Sequence, residues 1–485
     1  MSVPNRFSSS KLKLSLGLLA CLFGPVAGAQ QTERTQLEVA ELKPAPDALQ
    51  ASIAIGASND AGATWQTSFS STDQIAISAL IDIDPAHVGI SGNIYVLVSA
   101  EGAVFMQVSG GAFLPWPGTV ESLQPARFNQ LLAAQETLEI IPPAALGRLG
   151  LADTSLDIYL AYDVATEPDN LIFTDSPLSI SIAAYAPQEV AFDTAQTLET
   201  VVIDTDRERE LPVLIYLPET NDPAPVVLFS HGLGGSVLAA TFLGHHWAGR
   251  GYLVLFMQHP GSDSSILEGV PPSGLLAAFN AAASAQNLIL RIGDVSAIID
   301  QLELWNIDPE HELYQRMNLE QLGMSGHSFG ARTTQTTSGE IVPWLPYATK
   351  DPRIKAAMPF SASVPNQETA EEVLQDADIP WLVMTGTEDT SPVGDTTVED
   401  RLAVFPALPA GDKYELVLFE GEHNAFTDGA NGANGDRNPA HHPTIEALST
   451  AFWDAYLLGD VAALQWLTGD GALGVLSEGD TWQFK

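Results

Sequence analysis

The sequence predicts two architectures in series. A smaller all-β, sandwich-like domain over residues 51–185 precedes an α/β domain over residues 186–485, with a mostly parallel sheet covered by helices on both faces. Three observations predict this. The chain has 485 residues, about three times the ~150 expected of one domain. Its composition, 45% hydrophobic and 16% charged, suffices for sizeable cores and excludes disorder or collagen-like repetition. Near residue 186 the pattern changes, from short alternating β-branched runs to strands separated by helix-length stretches.

The first element reads as an export signal. Arg6, Lys11 and Lys13 lead into the apolar run Leu14–Phe23, and Ala27-Gly28-Ala29 offers a small-residue cleavage site before Gln30. Residues 1–29 are therefore expected to be a signal peptide, and the mature protein periplasmic or secreted. Leu18-Leu19-Ala20-Cys21 loosely resembles a lipoprotein cleavage box, but Leu19 fits it poorly and the apolar run continues past Cys21. Lipid anchoring is the lesser expectation. Cys21 is the only cysteine, so the mature chain is expected to hold no disulfide and no thiol nucleophile. No later apolar run reaches the ~18 residues of a membrane span, so no transmembrane segment is expected.

Twenty Lys and Arg against 60 Asp and Glu give a net charge of −40. Loss of the leader would take it near −43. A field of that sign repels phosphate backbones, which argues against nucleic acid as a partner.

Residues 30–50 are polar with Lys43-Pro44-Ala45-Pro46, and read as a linker. The β domain follows, with expected strands at Gln74–Asp84, Gly92–Ser99, Ala103–Val108, Glu136–Ile141, Leu156–Tyr162 and Pro177–Ala184. Turn residues separate them, as in a sandwich. Phe105, Phe113 and Trp116 are either core or the lining of a ligand surface.

In the α/β domain, Leu198–Asp204 and Leu211–Leu217 read as a hairpin. Buried strands are expected at Val226–Ser230, Tyr252–Gln258, Leu319–Ser325, Ile354–Phe360, Trp381–Thr385 and Tyr414–Phe419. Leu288, Ile292, Val295, Ile299 and Leu302 keep helical spacing within Ala278–Trp305. Phe452, Trp453, Tyr456, Leu457 and Leu464 mark a C-terminal helix packed on the sheet. Functional groups should then sit at the carboxyl ends of the parallel strands.

Gly326-His327-Ser328-Phe329-Gly330 lies between such a strand and the helix start Ala331-Arg332-Thr333-Thr334. A strand-to-helix turn this tight presents Ser328 as a nucleophile, with glycines where a Cβ would strike neighbours. A serine hydroxyl needs a base, and His423 stands just past the last expected strand. The histidine in turn needs a carboxylate. Asp389, in Gly386-Thr387-Glu388-Asp389-Thr390, is the chosen acid, with Glu388 and Asp395 as close competitors. The amides of Phe329 and of Leu233, in the glycine-rich loop His231–Ser236, are the expected oxyanion donors. No Gly-Lys-Ser/Thr follows that loop, which sets aside a phosphate-binding role.

With Leu211-Pro212-Val213 and Gln258-His259-Pro260-Gly261-Ser262, these segments make Leu198–Lys485 resemble the α/β-hydrolase superfamily. Within it, the likeness is to the platelet-activating-factor acetylhydrolase and dienelactone-hydrolase-like branch. The Gly-Thr-Glu-Asp-Thr-Ser-Pro turn is similar to the acid turn of cutinase-like polyester hydrolases. Two departures stand out. Dienelactone hydrolases use a cysteine, and the acetylhydrolases carry their acid after the strand that here ends Met358–Ser363 with no acid. The resemblance implies an α/β-hydrolase fold, a serine carboxylesterase activity and no cofactor.

Other features have plainer readings. Asp428–Asp436 carries oxygen ligands at three-residue spacing, suggesting calcium, but lacks the EF-hand alternation and terminal glutamate. A loop beside His423 is preferred. The pairs His245-His246 and His441-His442 suit packing better than one shared metal, so no metal is expected. His259 either touches substrate or buttresses the oxyanion loop. The expected function is ester hydrolysis on small, aliphatic or polymeric esters. A lipase or phospholipase acting on lipid esters is the alternative within enzymes. Outside them, the alternative is a binding or adhesion protein with a lapsed hydrolase scaffold.

Overall fold

The computed structural model describes residues 38–40, 42–43, 49–167, 170–364, 366–428 and 438–485. The leader with Cys21, and all but Asp428 and Asn438 of the loop past His423 over 428–438, lie outside the described residues. Apart from the short stretch Asp460–Ala462, the chain divides into two compact units, one ending at Ala186 and one beginning at Pro187.

The first unit is all β. Ser52–Ser58, Ile75–Asp82 and Gln135–Ala144 form one antiparallel sheet. Thr154–Val164, Ser91–Ala100 and Ala103–Gln107 centre a second. The strand Ser91–Ala100 alternates strictly between buried and half-buried positions, the period that places one face on a core. That core joins Ile53, Ile55, Ile77 and Ile81 of the first sheet to Ile94, Val96, Ile158 and Leu160 of the second. Within the stretch read as a linker, Glu38–Ala40 pairs antiparallel with Ser52–Ser58, and Leu42–Lys43 pairs with Ile172–Thr174. Five residues of that stretch are therefore sheet rather than linker. Phe105 and Phe113 are buried core residues. Trp116 instead joins Tyr95, Leu97, Tyr159, Leu171 and Phe173 around an apolar cavity of about 460 Å³.

The second unit is a nine-stranded sheet with helices. Its strands are β1 (Gln196–Asp204), β2 (Arg209–Leu217), β3 (Ala224–Ser230), β4 (Leu253–Met257), β5 (Met317–His327), β6 (Ile354–Phe360), β7 (Trp381–Glu388), β8 (Lys413–Glu422) and β9 (Thr481–Phe484). Their order is β1-β2-β4-β3-β5-β6-β7-β8-β9. From β4 to β8 every neighbour is parallel, while β1, β2 and β9 run antiparallel to theirs. Every residue of β3 and β4 is buried, the continuous apolar signature of a strand covered on both faces. The carboxyl ends of β3, β5, β7 and β8 thus emerge on one edge of the sheet, each leading into a loop.

The helices needed here are α1 (Thr241–Arg250), α2 (Leu275–Ala282), α3 (Ala285–Ile307), α4 (Phe329–Thr337) and α5 (His442–Leu457). The single helix expected over Ala278–Trp305 is corrected to two, α2 and α3, meeting at 66°. Ser284 breaks it: its backbone is extended and its side chain accepts the Asn287 amide, an N-cap that starts α3 afresh. α3 turns Leu288, Ile292, Val295, Ile299 and Leu302 inward, and with them Arg291 and Asp294. The C-terminal helix is also corrected. It ends at Leu457, and Leu464, expected in the core, is exposed on the separate helix Val461–Leu467. No single helix among the described residues is long and apolar enough to cross a membrane.

Candidate active site

Ser328 sits between the end of β5 and the first residue of α4 with φ +58° and ψ −115°. A non-glycine residue there carries backbone strain, which is held only when the surroundings leave no alternative. They leave none. A Cβ on Gly330 would lie 1.9 Å from the Ser230 carbonyl oxygen, and one on Gly326 2.5 Å from the Gly330 oxygen. Glycine at both positions lets α4 press against β3 and β5, which lifts the Ser328 side chain to a half-buried position at the sheet edge.

His423 follows β8 directly and is 3% exposed. Its Nε2 lies 2.9 Å from Ser328 Oγ, and its Nδ1 lies 2.7 Å from Asp389 Oδ1. Asp389 follows β7 and is fully buried. Its second oxygen, Oδ2, accepts the Thr385 hydroxyl at 2.9 Å. The competing acids are elsewhere: Glu388 and Asp395 are exposed. Burial alone would push the Asp389 carboxyl up. The charges of His423 and Arg401 beside it overcome that and hold it well below the usual carboxylate range. An ionised Asp389 fixes the proton of His423 on Nδ1, so Nε2 is free to accept from the Ser328 hydroxyl.

The loop after β3 runs against Ser328. A Cβ on Gly232 would be 3.3 Å from Ser328 Cβ. The amides of Leu233 and Phe329, the two expected oxyanion donors, make no hydrogen bond among the described residues. Phe329 opens α4, where backbone N–H groups and the helix dipole both favour negative charge. Ser328, His423, Asp389 and the Leu233 and Phe329 amides therefore meet at one edge of one sheet. The arrangement can move a proton off a hydroxyl and hold an anion next to it.

Three contributors carry no sequence signal of their own. Arg401, from the helix Val398–Leu402, places Nε 3.4 Å from Asp389 Oδ1 and donates to the Ser361 carbonyl. Thr385 orients the far carboxylate oxygen. His327 donates from Nε2 to the His423 carbonyl at 2.8 Å, tying the His423 loop to the Ser328 turn. Burial pushes the His327 imidazole down to about 3, so it stays neutral and keeps that donor role.

The remaining histidines pack. His441 Nε2 donates to the Phe419 carbonyl at 3.1 Å, and the His442 ring stacks on Phe242. His245 accepts the Ala195 amide, while His246 faces Glu446. Among the described residues no group of three or more His, Cys, Asp or Glu could hold a metal. Asp428 accepts the Thr241 and Phe242 amides at the start of α1. His259 is fully buried, which leaves it out of reach of any molecule from solvent. Compared with models of known protein families and with curated protein sequences, the chain matches none.

Proposed function

We propose that this protein is a serine carboxylic-ester hydrolase of the α/β-hydrolase kind, exported by residues 1–29. The observation that carries the reading is the unbroken contact from Ser328 Oγ through His423 to Asp389, beside two free amides. As His423 Nε2 takes the hydroxyl proton, Ser328 Oγ bonds to the ester carbonyl carbon. The carbonyl oxygen becomes an oxyanion, stabilised by the Leu233 and Phe329 amides. Asp389 stabilises the imidazolium without taking its proton. The tetrahedral adduct then expels the alcohol, which leaves with the proton from Nε2. Water, deprotonated by the same nitrogen, attacks the acyl-enzyme and releases the acid. No step calls on a cofactor.

The surroundings support an apolar substrate. α2 reads Leu-Leu-Ala-Ala-Phe-Asn-Ala-Ala and buries only Ala282. Its Phe279 ring lies against the oxyanion loop, where a Cβ on Gly234 would be 2.6 Å from Phe279 Cε1 and 3.2 Å from Leu267 Cδ1. The wall beside the oxyanion loop is thus aromatic and aliphatic, suited to small, aliphatic or polymeric esters. Lipid esters are the alternative within the same chemistry, separated by interfacial activation. Phe279→Ala is expected to lower kcat/KM on butyrate to octanoate esters by about tenfold, the worth of one lost apolar contact surface. Acetate should change less than about threefold. Rates on p-nitrophenyl esters across that series are the measurement, and an equal loss at every length would contradict this wall's role.

A second reading concerns the first unit. The cavity around Tyr95, Leu97, Trp116 and Tyr159 lies on the face of Ser91–Ala100 opposite the core. We infer that residues 51–185 bind an apolar ligand there, which would add a binding role to hydrolysis. In the full chain, Trp116→Ala should weaken retention on a polyester film by about tenfold with turnover of soluble esters unchanged. Equal retention would remove the reading.

A further inference from the structure

Behind the oxyanion loop lies a polar cluster that the hydrolytic steps do not use. Ser230, His259, Asp294 and Arg291 are all fully buried, and His231 is 1% exposed. Asp294 receives Arg209 through both carboxylate oxygens at 2.8 Å, with Arg207 3.0 Å away. It also accepts His259 Nδ1–H at 3.0 Å. His259 Nε2 is then an acceptor, and takes the Ser230 hydroxyl at 2.9 Å. This is a second Ser-His-Asp arrangement, sealed from any substrate.

The cluster settles the state of the next residue. The His259 backbone N–H donates to His231 Nε2 at 3.1 Å, so the His231 proton must be on Nδ1. From there it donates to the Gly232 carbonyl at 2.6 Å. Burial pushes the His259 imidazole down to about 4 and His231 well below its ordinary value, with the Arg291 charge adding to both. Both rings therefore stay neutral in these roles.

Arg291 completes the set. Nε donates to Ser262 Oγ at 2.8 Å, Nη1 to the His231 carbonyl at 2.6 Å, and Nη2 to the Gly232 carbonyl at 3.5 Å. The guanidinium carbon lies 4.6 Å from the centre of the Phe329 ring. Arg291 has no carboxylate within 4 Å among the described residues, Asp294 being engaged by Arg207 and Arg209, and the charges of Asp294 and Asp263 act on it only from further away. Burial lowers it to about 9, so it is charged at neutral pH. In a trans peptide the C=O of one residue and the N–H of the next point in opposite directions. Drawing the Gly232 carbonyl inward therefore turns the Leu233 N–H outward, away from the cluster, in a loop that runs against Ser328.

We propose that Arg291 is the positioning residue of the oxyanion site. With His231 Nδ1–H and the Gly235 N–H, which make the shorter bonds, it holds the Gly232 carbonyl so that Leu233 N–H faces the addition intermediate. It also braces Phe329 and supplies a buried positive charge behind the loop. A preorganised charge in a dry site acts where negative charge develops, and so on the transition state rather than on the bound ester. This inference rests on the ester-hydrolase reading of Ser328.

The test compares wild type, Arg291→Gln and Arg291→Lys on a short p-nitrophenyl ester. Rates are divided by active sites counted at the end point with a fluorophosphonate. Arg291→Gln should lose about 10²–10³-fold in kcat per site with KM within about threefold. Its affinity for a trifluoromethyl ketone should fall in parallel. Arg291→Lys restores charge but not the planar fork, and should recover at least about tenfold of the loss. Wild-type kcat per site in both variants overturns the proposal, because a purely structural role lowers only the number of folded sites. Should Arg291→Gln fail to fold, Ser262→Ala removes the Nε anchor, and with it only the hydroxyl's longer bond to the His259 carbonyl. A loss of about fivefold in kcat at constant KM then supports the proposal, and no loss overturns it. A wild type with no Ser328-dependent turnover sinks the hydrolase reading and this inference together, and is recognised separately by the missing wild-type adduct.

Discussion

Ser328→Ala is expected to lower ester turnover by about 10⁶-fold, the scale on which removing a serine nucleophile from an intact triad acts. The fold should survive. The half-buried Ser328 hydroxyl hydrogen bonds only to His423 among the described residues, and the tight turn is held by Gly326 and Gly330 rather than by that oxygen. Far-UV dichroism and the thermal midpoint should therefore stay close to wild type, while kcat falls to the level of the oxyanion site and binding alone. Substrate affinity should change little, because the addition of Oγ occurs only in the reaction step. A variant that keeps more than about a hundredth of the wild-type kcat would contradict nucleophilic attack by Ser328.

Asp389→Asn is expected to be the next largest loss, about 10⁴-fold in kcat with KM nearly constant. An amide at that position can present N–H to His423 Nδ1 and so stabilise the tautomer with its proton on Nε2. That proton faces Ser328 Oγ, 2.9 Å away, and blocks the base. The effect should be specific to this acid. Glu388→Gln and Asp395→Asn remove exposed carboxylates and should each change kcat by less than about twofold. The pH profile gives an independent check. His423 and Arg401 hold the Asp389 carboxyl well below the usual range, so it remains ionised above about pH 4. The stabilisation it gives the imidazolium is present above the ordinary carboxylate range and is lost only as pH falls through its depressed value. The acid limb of kcat/KM should thus be unaffected by Asp389 protonation. Steady-state kinetics of the three variants between pH 4 and 9 measure both effects. A mild Asp389→Asn phenotype would move the acid elsewhere.

Much of this arrangement was legible because buried parallel strands write themselves as continuous apolar runs. β3, β4, β6 and β7 each begin within two residues of where such a run begins in the sequence. The order of Ser328, Asp389 and His423 could be read because each stands just past a strand that shares one sheet. Asp389 was already the preferred acid in the sequence, but setting Glu388 aside needed the third dimension. Adjacent residues leaving a strand point opposite ways, and only one of the two turns inward. Arg401 and Thr385 were hidden because their value lies in distance to Asp389 and not in any motif.

The missed elements have physical causes too. Ala-rich sequence on both sides of Ser284 keeps helical spacing across the break between α2 and α3, and only the capping bond at Ser284 reveals it. Arg127–Leu131 has no fully buried residue, so no alternation announces it. β9 is a four-residue antiparallel edge strand of mixed exposure, too short to show a period. On Ser91–Ala100, Tyr95 and Leu97 are apolar on the face where a solvated sheet carries polar residues. That departure was the readable sign of the cavity they line.

The most direct measurement is intact-mass spectrometry of the full chain after incubation with a small fluorophosphonate, followed by peptide mapping. A hydroxyl activated by His423 beside two amide donors predicts one phosphonyl adduct per chain, on the peptide bearing Ser328, and none in Ser328→Ala. No adduct on the folded wild-type protein, or an adduct mapped to another residue, would contradict the central claim.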